Sequence, residues 1–452
     1  MKKYVVWLLV VVFSLSMVLM GIGCKKAEEA APAEEAVEEA APAEEVAEEA
    51  VPAEEELAGQ KITVIFPKHE MDTVGIFESQ TREFEELTGI EVELIQAEWD
   101  KTADKVIAEM SAGGSAYDVI EFDNGWVAKF DKAGWLVPLD DYMPSGWKDG
   151  LTPGAASTFS VGGKLYGVPW NNDIRFFLYN KKMLDDAGIS APPKTYDELI
   201  DQSKILMDKG IAKYGIADFW AKGWCLCNSV TPYIYSFGGT LFDEDGNPVF
   251  NTDPAVAEAI QFMVDALNVE KIADPASITY FQEDAMNIFV AGDTAFMPQG
   301  WPGIMATSNN PELSNIVGQV AVAEWTLGKT PDTQATMNLP EALAIPKTSE
   351  HKEAAWKYIE FMCSKEKDKE RGLAIGSIPL WTELYTDEDL IAMYPFWAQF
   401  GKQLIYARPH PALEWIEEWI YNLEIETQAA LSQEKTPQEA LDDLLKDIEG
   451  NL

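Results

Sequence analysis

Apolar and polar positions alternate with two different periods along the chain after residue 60. Short β-branched runs such as KITVIF at residues 61–66 are typical of buried strands, whereas apolar residues at helical spacing separate them. The pattern predicts strand, helix, strand, helix and strand at residues 61–66, 71–87, 91–96, 100–111 and 118–122. This alternation indicates an α/β fold with a parallel sheet and right-handed crossovers.

The loops after these strands hold the first candidate binding residues. In an open parallel sheet, ligands bind beyond the carboxyl ends of the strands, which here are residues 67–70, 97–100 and 122–126. These loops carry four candidate ligand contacts, His69, Trp99, Asp123 and Asn124. For the last two, a turn or helix-capping role is an equal alternative.

Later helices have recognisable beginnings. Thr195 with Glu198 and Thr436 with Glu439 fit capping boxes, and Asp253 precedes a proline at the first helical position. Residues 413–431 carry apolar side chains at helical spacing and predict a long amphipathic helix.

The first 59 residues differ from the rest. Residues 1–24 combine two lysines, an apolar stretch and small residues before Cys24, as in an export signal, and GIGC resembles the lipobox of bacterial lipoproteins. The resemblance implies lipidation of Cys24. Residues 25–59 contain thirteen Glu against two Lys with regularly placed prolines, which predicts a disordered tether.

Composition excludes several functions. The formal net charge of −42 argues against nucleic-acid binding, which needs clustered Lys and Arg. The three His have no Cys or His at metal-ligand spacing, so we expect no metal site and no cofactor. The sequence allows two states for the later cysteines: a disulfide from Cys225 or Cys227 to Cys363, or buried free thiols.

The order of several segments resembles one known family. The segments are GKLYGVPWNNDIRFFLYNKKML from Gly163, YDVIEFDNGWVAKFDKAGWLVPLDD from Tyr117, GDTAFMPQGWPG from Gly292, LAIPKTSEHKEAAWKYIEFM from Leu343 and KTPQEALDDLLKDI from Lys435. In this order they resemble the family 1 extracellular solute-binding proteins of bacterial ABC importers. The resemblance implies a type II periplasmic-binding-protein-like fold of two lobes, each a mainly parallel sheet flanked by helices, joined by three hinge crossings.

The same resemblance implies domain boundaries. The crossings fall near residues 173–177, 339–343 and 404–409. Lobe one then comprises residues 60–172 and 343–403, and lobe two residues 173–342 and 404–452.

Sugar clefts combine aromatic rings with carboxylates, amides and guanidinium groups. Trp99, Trp170, Trp224 and Trp301 lie beside loop-forming residues and are candidate platforms, with core packing as the alternative. We expect Trp301→Ala to abolish sugar binding and to leave the fold intact. The polar candidates near the crossings are Asn171, Asp173, Glu341 and Arg408, the last of which could instead form an interlobe ion pair.

These features predict a monomeric receptor that is exported, anchored to the membrane through lipid on Cys24, and faces the periplasm or cell exterior. It captures a mono- or oligosaccharide between its lobes and delivers it to the permease subunits of an ABC transporter, without catalysis and without nucleic acid. A secreted glycoside hydrolase, a receptor for a polyamine and an adhesion or scaffold protein are the alternatives.

Overall fold

The computed structural model describes residues 57–68, 72, 74–97 and 99–452. The signal segment, Cys24 and the tether up to residue 56 lie outside the described residues. The end of the predicted tether is part of the fold, because Leu57 packs against the first core and the Gly59 amide donates to the Gly89 carbonyl at 2.8 Å.

The strands of the described residues are numbered in chain order. They are β1 Lys61–Pro67, β2 Glu91–Ala97, β3 Val119–Asp123, β4 Ser160–Val161, β5 Lys164–Leu165, β6 Val168–Ile174, β7 Phe176–Asn180, β8 Tyr214–Ile216, β9 Thr294–Gly300, β10 Val320–Val322, β11 Thr336–Ala344 and β12 Ala407–Arg408.

The helices of the same residues are α1 Ile76–Thr88, α2 Trp99–Ala112, α3 Val127–Ala133, α4 Trp147–Gly150, α5 Pro153–Thr158, α6 Lys181–Ala187, α7 Tyr196–Asp208, α8 Trp224–Ser236, α9 Pro254–Asn268, α10 Gln282–Ala291, α11 Gly303–Asn309, α12 Lys352–Met362, α13 Lys365–Ile375, α14 Glu388–Met393, α15 Trp397–Gln403, α16 Ile416–Leu431 and α17 Pro437–Ile448. Among the described residues, none of these helices has the length and apolar composition needed to cross a membrane.

The first sheet confirms the strand and helix series predicted for residues 61–122. Its strand order is β12-β11-β3-β1-β2, with β6 also paired to β11, and β1 runs parallel to both β2 and β3. Strand β11 is antiparallel to β3 and β6, so this sheet is mixed.

The second sheet corrects the expectation of a mainly parallel sheet in each lobe. Its order is β10-β7-β9-β8, and only the β8–β9 pair is parallel, whereas β7 is antiparallel to both β9 and β10. Both kinds of strand are buried apolar runs, so the residue pattern does not separate them.

Three strands meet side by side where the chain passes between the two sheets. We call β6, β11 and β12 the crossing strands. Ile174 pairs with Asn338, the Arg175 amide donates to the Met337 carbonyl at 3.1 Å, and Met337 pairs with Arg408. The type II arrangement of three hinge crossings is therefore present.

Three hydrophobic clusters stabilise the fold. One packs α1, α2 and α12 on the first sheet, and another packs α7–α9 with α16 and α17. The third joins Leu151 and residues 378–400 to the second sheet beside the crossing strands. The described cysteines, Cys225, Cys227 and Cys363, are buried free thiols in these clusters, so the disulfide left open above does not form in this structure.

Candidate functional site

One face of the first sheet gathers polar side chains where the crossing strands meet β3. Glu341 on β11 is paired with Asp123 on β3 and with Asn171 on β6, and residues opposite each other share a face. Strand alternation adds Glu121 and Asp173 to that face. We call these five residues the carboxylate face.

Direct hydrogen bonds hold part of this face. The Asn171 amide donates to Glu341 Oε2 at 2.8 Å. Asp123 Oδ1 accepts from the Gly125 backbone N–H at 2.7 Å, and the Asn124 amide donates to Asp123 Oδ2 at 3.4 Å. Asp123 therefore has the expected capping role, at the start of the short 3-10 helix of residues 124–126, and Asn124 donates to its carboxylate.

Burial and like charges shift the ionisation of two of these carboxyls. Burial raises the pKa of Asp123 to about 7, repulsion from Glu341 adds to it, and the hydrogen bond from Gly125 opposes it. Burial, followed by repulsion from Glu341 and Asp123, raises the pKa of Glu121 well above its ordinary value. Both shifts favour the protonated, neutral form of these two carboxyls.

Asp173 connects this face to the second sheet. Its carboxylate lies 3.1 Å from Nη1 of Arg175, whose side chain is 1% exposed. The guanidinium lies 5.7 Å from the ring centre of Phe219 and 5.9 Å from that of Trp301. Asp173, Arg175 and Trp301 thus form one contiguous group at the first crossing.

Arg408 lies against a different partner. Its guanidinium is 5.6 Å from the ring centre of Tyr235, whose hydroxyl donates to the Pro409 carbonyl at 2.9 Å. Arg408 is exposed and lines a groove of about 380 Å³ that also contains Asp243 and Leu413.

The aromatic candidates occupy the core more than the sequence suggested. Trp170 is 2% exposed and lies 5.4 and 4.9 Å from the ring centres of Phe66 and Phe77. Trp301 is 3% exposed and packs edge-on against Phe219. The expectation that Trp301→Ala leaves the fold intact conflicts with this burial, because truncating a core Trp costs about 3–5 kcal/mol.

His69 and the side chains of Trp99 and Trp224 lie outside the described part of the structure. The backbones of the two tryptophans begin α2 and α8.

Ion pairs link elements on opposite sides of the proposed cleft. Lys129 on α3 lies 3.0 Å from Glu417 on α16, and Lys132 pairs with Glu414 just before α16. A Cβ built on Gly125 would lie 3.6 Å from Ile416. Elements α3 and α16 are therefore in contact at this edge.

Two residues of the site were missed by the sequence analysis. Glu121 lies within the otherwise apolar strand segment VIEF, Arg175 lies between β6 and β7 in the segment IRFF, and each is 1% exposed. A buried charge without a partner is costly, so a charged residue among apolar ones was the signal in the sequence that could have identified both residues.

Within the described ranges, no group of three or more His, Cys, Asp or Glu side chains is placed to hold a metal ion.

Comparisons with known proteins agree with this geometry. The profile of the family described as bacterial extracellular solute-binding protein matches residues 72–369. A Sinorhizobium fredii protein named as a probable amino-acid ABC transporter periplasmic-binding protein is 26% identical over 409 residues, covering 87% of this chain and 89% of its own length.

Two solved structures are similar over most of this chain. The maltose-bound MalE3 of T. maritima is 29% identical with a TM-score of 0.78, covering 87% of this chain and all of its own. An ABC transporter solute-binding protein of Thermotoga lettingae bound with α-D-tagatose is 25% identical with a TM-score of 0.75, covering 86% of this chain and 99% of its own. The fold, the crossing strands and the matched profile together place this chain in the family of bacterial extracellular solute-binding proteins.

Proposed function

We propose that this protein is the receptor of an ABC importer that captures a carbohydrate or polyol beside the carboxylate face. The observation that carries the proposal is the grouping of Asp123, Asn171, Asp173 and Glu341 on one face at the crossing strands. Carboxylates and amides form paired hydrogen bonds with vicinal hydroxyls. The maltose and the α-D-tagatose bound to the two similar structures support this solute class.

Hinge closure is the proposed mechanism. The lobes are those predicted above, residues 60–172 with 343–403 and residues 173–342 with 404–452, and the adjacent crossing strands support a hinge between them. Solute binds one lobe in the open form, and closure adds contacts from the other lobe, including the Lys129–Glu417 pair. The permease then recognises the closed form.

An amino acid is the first rival solute, because the Sinorhizobium relative is named for one. An amino acid needs a cation for its carboxylate. Arg175, which contacts this face, is already engaged by Asp173 at 3.1 Å, and the Arg408 guanidinium lies against the Tyr235 ring. The hydroxyl-rich solute therefore fits the described residues better.

A glycoside hydrolase is the second rival. Such enzymes also use two carboxyl groups, one of them with a raised pKa, and Asp123 beside Glu341 has this property. We propose that no bond is cleaved here, because the family is one of solute-binding transport proteins. Chromatography of oligosaccharides incubated with the protein tests this point, and released shorter sugars would favour the hydrolase.

A thermal-shift screen tests the solute class. The panel contains mono- and oligosaccharides, polyols, polyamines and amino acids, since any ligand specific for the native state raises the melting temperature. We expect the rise with a sugar or polyol. A rise with amino acids or polyamines alone would contradict the proposal.

A matched pair of variants then locates the site. Glu341→Gln keeps an oxygen to accept from Asn171 but removes a charge, and we expect the affinity for the sugar to fall roughly tenfold or more. Glu353→Gln removes an exposed carboxylate on α12 and should bind as the wild type does. Equal affinities in both variants would place the sugar elsewhere.

We also propose that Cys24 carries the lipid anchor, that residues 25–56 tether a monomeric receptor to the membrane and that the receptor faces the periplasm or cell exterior. The supporting observations are the small residues before Cys24 and the acidic, proline-interrupted composition that follows. Cell fractionation tests the anchor: Cys24→Ser should move the exported protein from the membrane to the soluble fraction. A wild-type protein that is already soluble would argue against lipidation.

A further inference from the structure

A cavity lies on the side of the crossing strands that is opposite the carboxylate face. Its volume is about 400 Å³. Ile174 on β6 and Asn338 on β11 line it and are paired in the sheet, and strand alternation turns them away from Asp173 and Glu341. Ala407 on β12 lines it as well. Each crossing strand therefore contributes to this cavity.

Most of the cavity wall is apolar. Ala155, Ile174, Leu404 and Ile405 contribute aliphatic surface, and the Ile405 side chain is 79% exposed although it lines the cavity. Pockets of this size and character accommodate small organic molecules. The apolar wall favours a ligand that is largely hydrocarbon.

Two buried polar side chains of the wall have hydrogen-bonding capacity to spare. Asn338 is 5% exposed, and its Oδ1 has no hydrogen-bond partner among the described residues. Its amide nitrogen lies 3.6 Å from the position of a Cβ built on Gly154, another residue of the wall. Thr152 is 6% exposed, and its hydroxyl likewise has no partner within the described chain.

Such groups are normally satisfied, since an unpaired buried amide or hydroxyl costs about 1–3 kcal/mol. The Asn338 amide offers a donor or an acceptor depending on its rotation, and the Thr152 hydroxyl offers both. A single hydroxyl group, which also donates and accepts, is complementary to either one.

We propose that this cavity is a binding site for a small apolar alcohol, with its hydrocarbon part against Ile174 and Leu404 and its hydroxyl bonded to Asn338. The site is separate from the carboxylate face. Binding to this site is therefore measurable without a transported solute. A negative result here would leave the proposed transport function untouched.

Fluorine NMR of two probes tests the site on the full chain. The probes are 4-fluorobenzyl alcohol and 4-fluorotoluene, which differ by one hydroxyl. We expect the wild-type protein to broaden the resonance of the alcohol several-fold more than that of the toluene. Equal broadening of the two probes would overturn the proposal.

Two variants assign the binding to the cavity. Gly154 is exposed, and the Asn338 amide nitrogen is the one atom of the described residues found near the position of its added Cβ. Gly154→Leu should therefore fill the space beside Asn338 without a clash. We expect this variant to abolish the broadening of the alcohol resonance. Asn338→Leu replaces an amide whose oxygen has no partner among the described residues by an apolar group of similar size, so the fold should persist and only the preference for the alcohol should disappear. If Gly154→Leu fails to fold, Asn338→Leu decides alone. Unchanged preference in Asn338→Leu contradicts the site.

Discussion

At the residue scale, Asp123 makes the clearest pH-dependent prediction. Its pKa of about 7 in the native state exceeds that of an unfolded aspartate, about 4, so the native state retains a proton that the unfolded state releases. The contribution of protonated Asp123 to the free energy of unfolding is therefore fully present at low pH, and it is lost as the pH rises from about 4 to 7.

Asp123→Asn removes that titration and keeps an oxygen to accept from Gly125. Between pH 5 and 7, we expect the free energy of unfolding to fall less steeply with pH in the variant than in the wild type. The two slopes should differ by up to about 1.4 kcal/mol per pH unit. Urea denaturation at several pH values measures this difference. Parallel pH profiles of the two proteins would show that Asp123 titrates normally.

Two variants of Trp301 distinguish its contribution to core packing from its contribution to sugar binding. Because it is buried against Phe219 and Arg175, Trp301→Ala should lower the free energy of unfolding by about 3–5 kcal/mol. Trp301→Phe keeps a ring, and we expect it to fold and to bind the sugar more weakly. Calorimetric titration measures the affinity. Trp419→Phe, at an equally buried site in another cluster, is the matched control and should bind normally.

The polar candidates were more predictable from the sequence than the aromatic ones. Asn171, Asp173 and Glu341 lie close to the predicted crossings, and the sheet register brings them together with Asp123. Burial of Trp170 in the first core depends on the shapes of Phe66 and Phe77 around it. Such packing is a tertiary property that residue type and neighbouring turns do not reveal.

At the element scale, the ion pairs between α3 and the beginning of α16 predict an effect on closure. Lys129→Glu should repel Glu417 and favour the open form, weakening sugar affinity up to about fivefold, since partly exposed ion pairs contribute about 0.2–1 kcal/mol. Adding Glu417→Lys should restore the affinity. Titration calorimetry of the three proteins at low and high salt measures the coupling.

A pair within one sheet serves as the control. Lys61 and Glu93 are 2.7 Å apart on β1 and β2, and reversing Lys61 leaves the cleft unaffected. If Lys61→Glu weakens sugar binding as much as Lys129→Glu does, the change reflects net charge and not contact across the cleft.

Secondary structure was predictable where periodicity and capping coincide. The Thr436 hydroxyl accepts from the Glu439 amide, and the Glu439 carboxylate accepts from the Thr436 amide, as the sequence predicted. At Thr195 only one half forms, because Glu198 accepts from the Lys194 amide instead. The antiparallel pairings of β7 were not predictable, because strand direction depends on distant partners.

At the scale of the whole molecule, closure should affect the third hydrophobic cluster and the ion pair between α3 and α16 differently. The third cluster joins Leu151 and residues 378–400 to the second sheet, so it unites segments assigned to different lobes by the sequence. The Lys129–Glu417 pair involves no member of that cluster, whereas Asp173 of the carboxylate face touches it through Arg175, which lies against Phe219 and Trp301. We therefore expect closure to leave the cluster intact and to change the separation of α3 and α16.

The distance between α3 and α16 in solution tests closure most directly. Spin labels at the exposed positions Asp131 and Glu418 report it, and the described native cysteines are buried. We expect a broad distribution of long distances without solute, and a narrow, short one when the sugar found by the thermal-shift screen is saturating. A distribution that saturating sugar leaves unchanged would contradict capture by closure of two lobes.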